Sequence, residues 1–158
     1  MKRQPMVMAA MMTTVLAVAS GDSAQATDAL YLSHPDAVDG ITVVDGSGKE
    51  YRIHGIAEPT QFRGCVAQDG KAVNCTELAA RWLEQYASSF LNCVTINTAS
   101  DPISVRCRDY QGRDVGARMV RTGWAVPDRA TGQDYIFEEI EAEALGAGVW
   151  AARKTSAR

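Results

Sequence analysis

Residues 37–56 have the sequence AVDGITVVDGSGKEYRIHGI, in which two β-branched runs stand on either side of a short turn. The turn, residues 45–48, is Asp-Gly-Ser-Gly, and such small polar residues between apolar runs are typical of a hairpin loop. Pro59 follows the second run and favours an extended conformation at Glu58. This stretch therefore predicts a β-hairpin near the start of the fold.

The rest of the chain predicts helices and a second hairpin. Apolar residues between Thr76 and Phe90 recur at three- and four-residue spacing, which predicts a helix with one buried face. The later segments are, in order, strands at 93–97 and 103–107, a helix at 114–122, an extended stretch at 124–126 and a helix at 134–145. This order is typical of a small β-barrel with packed helices, an α+β fold that consists mainly of strands.

The first 26 residues differ in composition from the remainder. Lys2 and Arg3 precede an uncharged run at 5–20, and the small residues of 23–26 follow it. This pattern predicts a secretory signal peptide, residues 1–26, and therefore an exported protein in the periplasm or outside the cell. The alternative, a membrane anchor, requires roughly 20 apolar residues, and the uncharged run is shorter than that.

The predicted mature chain, residues 27–158, is a single domain with a polar tail at 153–158. Apolar residues make up 46% of the 158-residue sequence and charged residues 22%, as in ordinary globular proteins. The net charge of the whole sequence is −3. Removal of the signal peptide leaves 14 basic and 18 acidic residues. A net charge of −4 provides no general attraction to nucleic acid or to an anionic membrane, and no transmembrane segment is expected after cleavage.

Four cysteines lie in the predicted mature chain, and an even number in an exported protein indicates disulfides. Three pairings are open. Cys65–Cys75 with Cys93–Cys107 is favoured because each bond closes a short loop across a turn-like segment. A zinc site is disfavoured because the spacings include no closely spaced cysteine pair and no histidine cluster.

Four segments of the chain resemble the staphylococcal-nuclease-like (thermonuclease) domains. Val38–Thr42 is similar to the V-D-G-D-T motif of that family, and Arg52–Thr60 is similar to R-L-x-G-I-D-A-P-E. Met119–Ala125 resembles L-V-R-x-G-x-A, and Ala142–Trp150 resembles A-x-x-x-x-x-G-x-W. The resemblance covers nearly the whole mature chain, and secreted bacterial members often have cysteine pairs at these positions. It implies a five-stranded OB-fold barrel with about three helices.

The resemblance also implies a metal-dependent phosphodiesterase that acts on DNA and RNA. In the family, carboxylates bind a hard cation such as Ca²⁺ and activate water, while two arginines neutralise charge on the phosphoryl oxygens. The three carboxylate positions correspond in this sequence to Ile41, Ala57 and Thr60, and the second arginine position corresponds to Pro102. Arg52, at the first arginine position, is the only catalytic family residue that this sequence retains.

Two nearby acids and one other arginine leave alternatives open. Asp39 and Glu58 stand beside the vacated positions, and a shifted metal site built on them is one alternative. Glu58 is expected to point away from Ala57 and Thr60 because side chains alternate along a strand, and Asp39 is expected to support its loop. Arg113 of the Gly112–Arg113 pair is interpreted as a turn residue.

We therefore predict a secreted pseudoenzyme that binds a partner or has an accessory role, with no cofactor. Some secreted relatives are associated with exopolysaccharide genes, including those for succinoglycan biosynthesis, so such a role is a specific hypothesis. A polysaccharide or a protein is favoured over nucleic acid as the ligand. The alternative is an active secreted Ca²⁺-dependent nuclease, and a third hypothesis is a tether for another exported protein.

Overall fold

The computed structural model describes residues 28–62, 64–66 and 71–151. The predicted signal peptide at 1–26 and the predicted polar tail at 153–158 lie outside the described residues. Within those ranges no helix is long and apolar enough to cross a membrane.

The structure is an α+β fold dominated by strands, with three α-helices, which confirms the predicted fold class at that level. The strands are β1 (Ala29–Ser33), β2 (Asp36–Ala37), β3 (Thr42–Val44), β4 (Glu50–Ile53), β5 (Ile56–Ala57), β6 (Cys65–Val66), β7 (Ala72–Val73), β8 (Phe90–Asn97), β9 (Ile103–Arg108) and β10 (Val126–Pro127). The helices are α1 (Cys75–Ala87), α2 (Val115–Arg121) and α3 (Ile136–Leu145), and a 3-10 turn (Gly148–Trp150) follows.

Six strands form one curled sheet in the order β1-β8-β9-β4-β3-β2. Both predicted hairpins are present, as β3–β4 and β8–β9. Among the described strand pairs of this sheet, β4 and β9 run parallel and the other pairs are antiparallel. The two edge strands, β1 and β2, are separated in the chain by only His34 and Pro35. Because two residues join the two edges, the sheet must curl so that its edges approach each other. Two further two-stranded sheets, β5–β10 and β6–β7, flank it.

Each helix end has a local cause. The side chain of Asn74 accepts a hydrogen bond from the N–H of Thr76 and caps α1, one residue earlier than the sequence predicted. Asp114 caps α2 in the same way through the N–H of Ala117. Helix α3 begins two residues later than predicted, because Tyr135 has a left-handed backbone with φ of 64°, and it ends at Gly146.

The core lies between the concave side of the sheet and the helices. One cluster of buried side chains joins the sheet to α1 and α2, with Leu83, Val105 and Met119 fully buried. A second, smaller cluster lies under α3 and the 3-10 turn, where the Phe62 and Trp150 rings meet edge to face at 4.7 Å.

The favoured cysteine pairing is confirmed: Cys65 is bonded to Cys75 and Cys93 to Cys107. The first disulfide joins β6 to the start of α1, and the second joins residues that lie directly opposite each other on β8 and β9. All four side chains are buried.

Removal of either disulfide by a double Cys→Ala substitution should lower the free energy of unfolding by about 3 kcal/mol, because each closes a loop of similar length. Urea unfolding of the two double variants measures both losses. The two losses should agree within about 1 kcal/mol because closure entropy depends weakly on loop length. A loss near zero for either variant would contradict this account.

Candidate functional site

Arg52 lies in the middle of β4 and points away from the core. Its neighbours in register are Thr42 on β3 and Ser104 on β9, and its side chain is exposed. The described part of the chain gives this guanidinium no ion pair. The arginine that the sequence singled out is therefore available to an anionic ligand.

The three positions that correspond to family carboxylates have different surroundings. Ile41 is only 5% exposed and packs in the main core. Ala57 is half-buried on β5, opposite Val126 of β10, and Thr60 is exposed on the turn that follows. Together these side chains offer a single hydroxyl group, which is a poor ligand set for a hard cation.

Asp39 and Glu58 meet at the loop that leads into β3. Asp39 Oδ1 accepts the N–H of Ile41 at 2.8 Å, so it supports the loop as expected. Glu58 Oε1 lies 3.4 Å from the N–H of Gly40, so this carboxylate faces the same loop. One oxygen of each carboxylate thus faces a backbone donor. No group of three or more His, Cys, Asp or Glu side chains within the described ranges is placed to hold a metal ion.

The segment around Pro102 forms the connection between β8 and β9. Ser100 Oγ donates to the carbonyl of Asn97 and accepts the N–H of Ser104, so local hydrogen bonds hold this connection. Arg113 lies in the turn between β9 and α2 and donates from Nε to Asp109 at 2.8 Å. This contact fits the interpretation of Arg113 as a turn residue.

A polar cluster that the sequence did not predict lies beside Arg52. His54 Nδ1 is 3.1 Å from Ser104 Oγ, and its Nε2 is 3.8 Å from Asp134 Oδ2. The same Asp134 oxygen accepts a hydrogen bond of 2.6 Å from Arg106. Ser104 is 9% exposed and Asp134 is already paired with arginine, so this cluster fastens the segment before α3 to the sheet.

Tyr135 holds this segment from the other side. Its hydroxyl donates to Asp114 Oδ1 at 3.0 Å, and its ring lies against two glycines, Gly55 and Gly116. A Cβ on Gly116 would lie 2.9 Å from the tyrosine oxygen. Burial, followed by the neighbouring Asp114 carboxylate, raises the pKa of Tyr135. The hydroxyl therefore acts as a hydrogen-bond donor and not as a base.

One sequence signal was available for part of this cluster. His54 stands two residues after Arg52 and directly follows β4, so alternation continued past the end of the strand places both side chains on the same side of the sheet. Nothing in the sequence indicates that Asp134, 28 positions after Arg106, reaches the same point.

No family model and no curated protein matches this chain. The site therefore has to be interpreted from its own chemistry. It presents the exposed Arg52 guanidinium on the surface of a sheet, beside a cluster in which His54, Ser104 and Asp134 contact one another, and a guanidinium binds anions.

Proposed function

We propose that the chain is an exported staphylococcal-nuclease-like OB-fold domain that has lost the phosphodiesterase centre and acts by binding a ligand. The observation that carries the proposal is the packing of Ile41 in the core at the position of a metal-binding aspartate. With Ala57 and Thr60 at the other two positions, none of the three aligned ligand positions supplies a carboxylate to a cation.

Two features of the fold support the barrel. The curled sheet has its two edge strands adjacent in the chain, as required when one bent strand closes a barrel. Three helices accompany the sheet, and α2 ends at Arg121, within the segment that resembles the helix-ending motif. Two disulfides favour an oxidising compartment and thus export.

The proposed loss of catalysis follows from the number of groups that are missing. Removal of one stabilising group from an active centre typically costs about 10²-fold in rate or more, and groups that act as a unit fail together. Arg52 alone can bind an anion, but it cannot position or deprotonate water.

The full chain, exported and oxidised in a bacterial host, should show no Ca²⁺-dependent cleavage of single-stranded DNA or RNA above the background measured with chelator. Calorimetry should likewise show no binding of Ca²⁺ to the protein. Arg81, exposed on α1 and paired with Glu77, provides a matched control for Arg52. Cleavage that requires Ca²⁺ and disappears in Arg52→Ala but not in Arg81→Ala would overturn the proposal.

A further inference from the structure

The side of β1, β8 and β9 that points away from the core is the surface that we call the outer face. Strand alternation directs the following nine residues to it: Ala29, Tyr31, Ser33, Phe90, Asn92, Val94, Ser104, Arg106 and Arg108. The face is open at Tyr31, Asn92 and Arg108, whereas Ser104 is 9% exposed and Arg106 is paired with Asp134. None of the nine residues is acidic, although the whole chain has a net charge of −3. The outer face therefore differs in charge from the chain as a whole.

An aromatic pair stands at one end of the outer face. Tyr31 is 60% exposed, and its ring stacks on that of Phe90 with 5.2 Å between centroids. Val94, the outward residue after Asn92 on β8, is 37% exposed. An exposed aromatic ring on the outside of a sheet is a platform on which another ring can stack.

Hydrogen-bonding groups lie in register with this platform. Asn92 is directly opposite Tyr31 on one side and Arg108 on the other. Neighbouring strands are about 4.8 Å apart, so the row from Tyr31 to Arg108 is about 10 Å long. A ligand that contacts both ends of this row must be longer than one ring.

The positive charge of the face is sparse. Arg106 is paired with Asp134 at 2.6 Å, whereas Arg108 donates from one terminal nitrogen to the neutral carbonyl of Gly112. Arg52 lies beyond the buried Ser104 on β4 and shares its face of that strand with Glu50, so it is not counted with the outer face. After the Arg106–Asp134 pair is set aside, the Arg108 guanidinium remains with charge to offer.

We propose that the outer face binds an acidic glycan whose carboxylates are separated by neutral sugars. Sugar rings stack on Tyr31, the Asn92 amide bonds hydroxyl groups, and Arg108 binds a carboxylate. A single-stranded nucleic acid has a charge on every nucleotide and is bound in strongly basic grooves, which one guanidinium does not provide. This inference rests on the proposed binding role and names its ligand class.

The test measures binding of the full chain to gellan, which has one uronate in each repeat, with dextran as a neutral polymer and a thymidine oligonucleotide as the nucleic acid. Affinity electrophoresis or calorimetry should show binding to gellan and none to dextran. Tyr31→Ala should weaken binding to gellan about tenfold. Arg108→Ala should have an effect of similar size, because it removes a charge-assisted contact.

Two matched variants away from the outer face show whether a loss of binding comes from the outer face itself or from a general effect of removing an exposed side chain. Phe137→Ala removes another exposed ring, 84% exposed on α3, and Arg81→Ala removes an exposed arginine on α1. Both should bind gellan as the unaltered chain does. Failure to bind gellan, equal binding to dextran, or tighter binding to the oligonucleotide would each overturn the glycan assignment. None of these results would restore Ca²⁺-dependent cleavage, so the two proposals can fail separately.

Discussion

The Gly123→Ala variant is expected to lose about 4 kcal/mol of unfolding free energy, from left-handed strain and overpacking together. Gly123 has φ of 74°, and a Cβ there would lie 2.6 Å from the carbonyl carbon of Ala147 and 3.1 Å from Cα of Gly148. These are backbone atoms that cannot rotate away. The end of α2 would have to move from the 3-10 turn that places Trp150 in the core. Equilibrium unfolding in urea measures the loss.

Two further variants show whether backbone strain or steric overlap contributes more to the loss at Gly123. Gly48 also has a positive φ, of 84°, but nothing lies within 4 Å of a Cβ there, so Gly48→Ala should cost about 1 kcal/mol from backbone strain alone. Gly148→Ala would meet the carbonyl carbon of Gly123 at 2.6 Å. The double Gly123→Ala/Gly148→Ala variant should therefore lose clearly less than the two single losses added, because one separation of the segments accommodates both methyl groups. A Gly123→Ala loss no larger than that of Gly48→Ala would refute the steric account.

Asp109→Ala is expected to cost about 4 kcal/mol, because it leaves two arginines without their shared partner. Asp109 is 1% exposed, and its Oδ2 accepts from Arg113 and from Arg118 at 2.8 Å each. The Arg118 guanidinium lies 3.8 Å from the centre of the Tyr86 ring and is largely buried. The same carboxylate also accepts the backbone N–H of Gln111.

The lowered pKa of Asp109 fixes the direction in which its contribution to the free energy of unfolding changes with pH. Burial raises the pKa of Asp109, but the backbone N–H and guanidinium of Arg113, with the N–H of Gln111, outweigh burial and hold it below its ordinary value. A carboxyl with a lowered folded pKa stabilises the protein above its unfolded pKa of about 3.9, and this contribution is lost as pH falls through the folded pKa.

Urea unfolding of the unaltered chain and of Asp109→Asn at different pH values tests this pH dependence. The gap in unfolding free energy between the unaltered chain and this variant should be large at neutral pH and smaller at about pH 3. Asp128→Ala is the control, because Asp128 also caps a turn through one backbone N–H, that of Ala130. That control should cost about 1 kcal/mol. If the Asp109→Asn gap were constant with pH, the ionised carboxylate would not be its source.

Much of the fold could be predicted because its signals are local. The turn at 45–48 and the alternation around it gave β3 and β4, and the spacing after Thr76 gave the start of α1 to within one residue. The same spacing wrongly included Phe90 in the helix, which ends at Ala87, whereas Phe90 begins β8. The start of α3 was placed two residues early because Tyr135 adopts a left-handed backbone to reach Asp114, which lies 21 positions before it in the chain. The periodicity of a short segment does not reveal a contact between residues so far apart in the chain.

The sequence by itself determined the strand-rich α+β class and the most favourable cysteine pairing, because each depends on residue type and short spacing. Only the tertiary structure brought His54 to Ser104, 50 positions apart, and set Gly123 against Ala147. It alone also aligned Tyr31, Asn92 and Arg108 across three strands. These contacts depend on strand register and on the close approach of distant backbones, which packing of the whole chain decides.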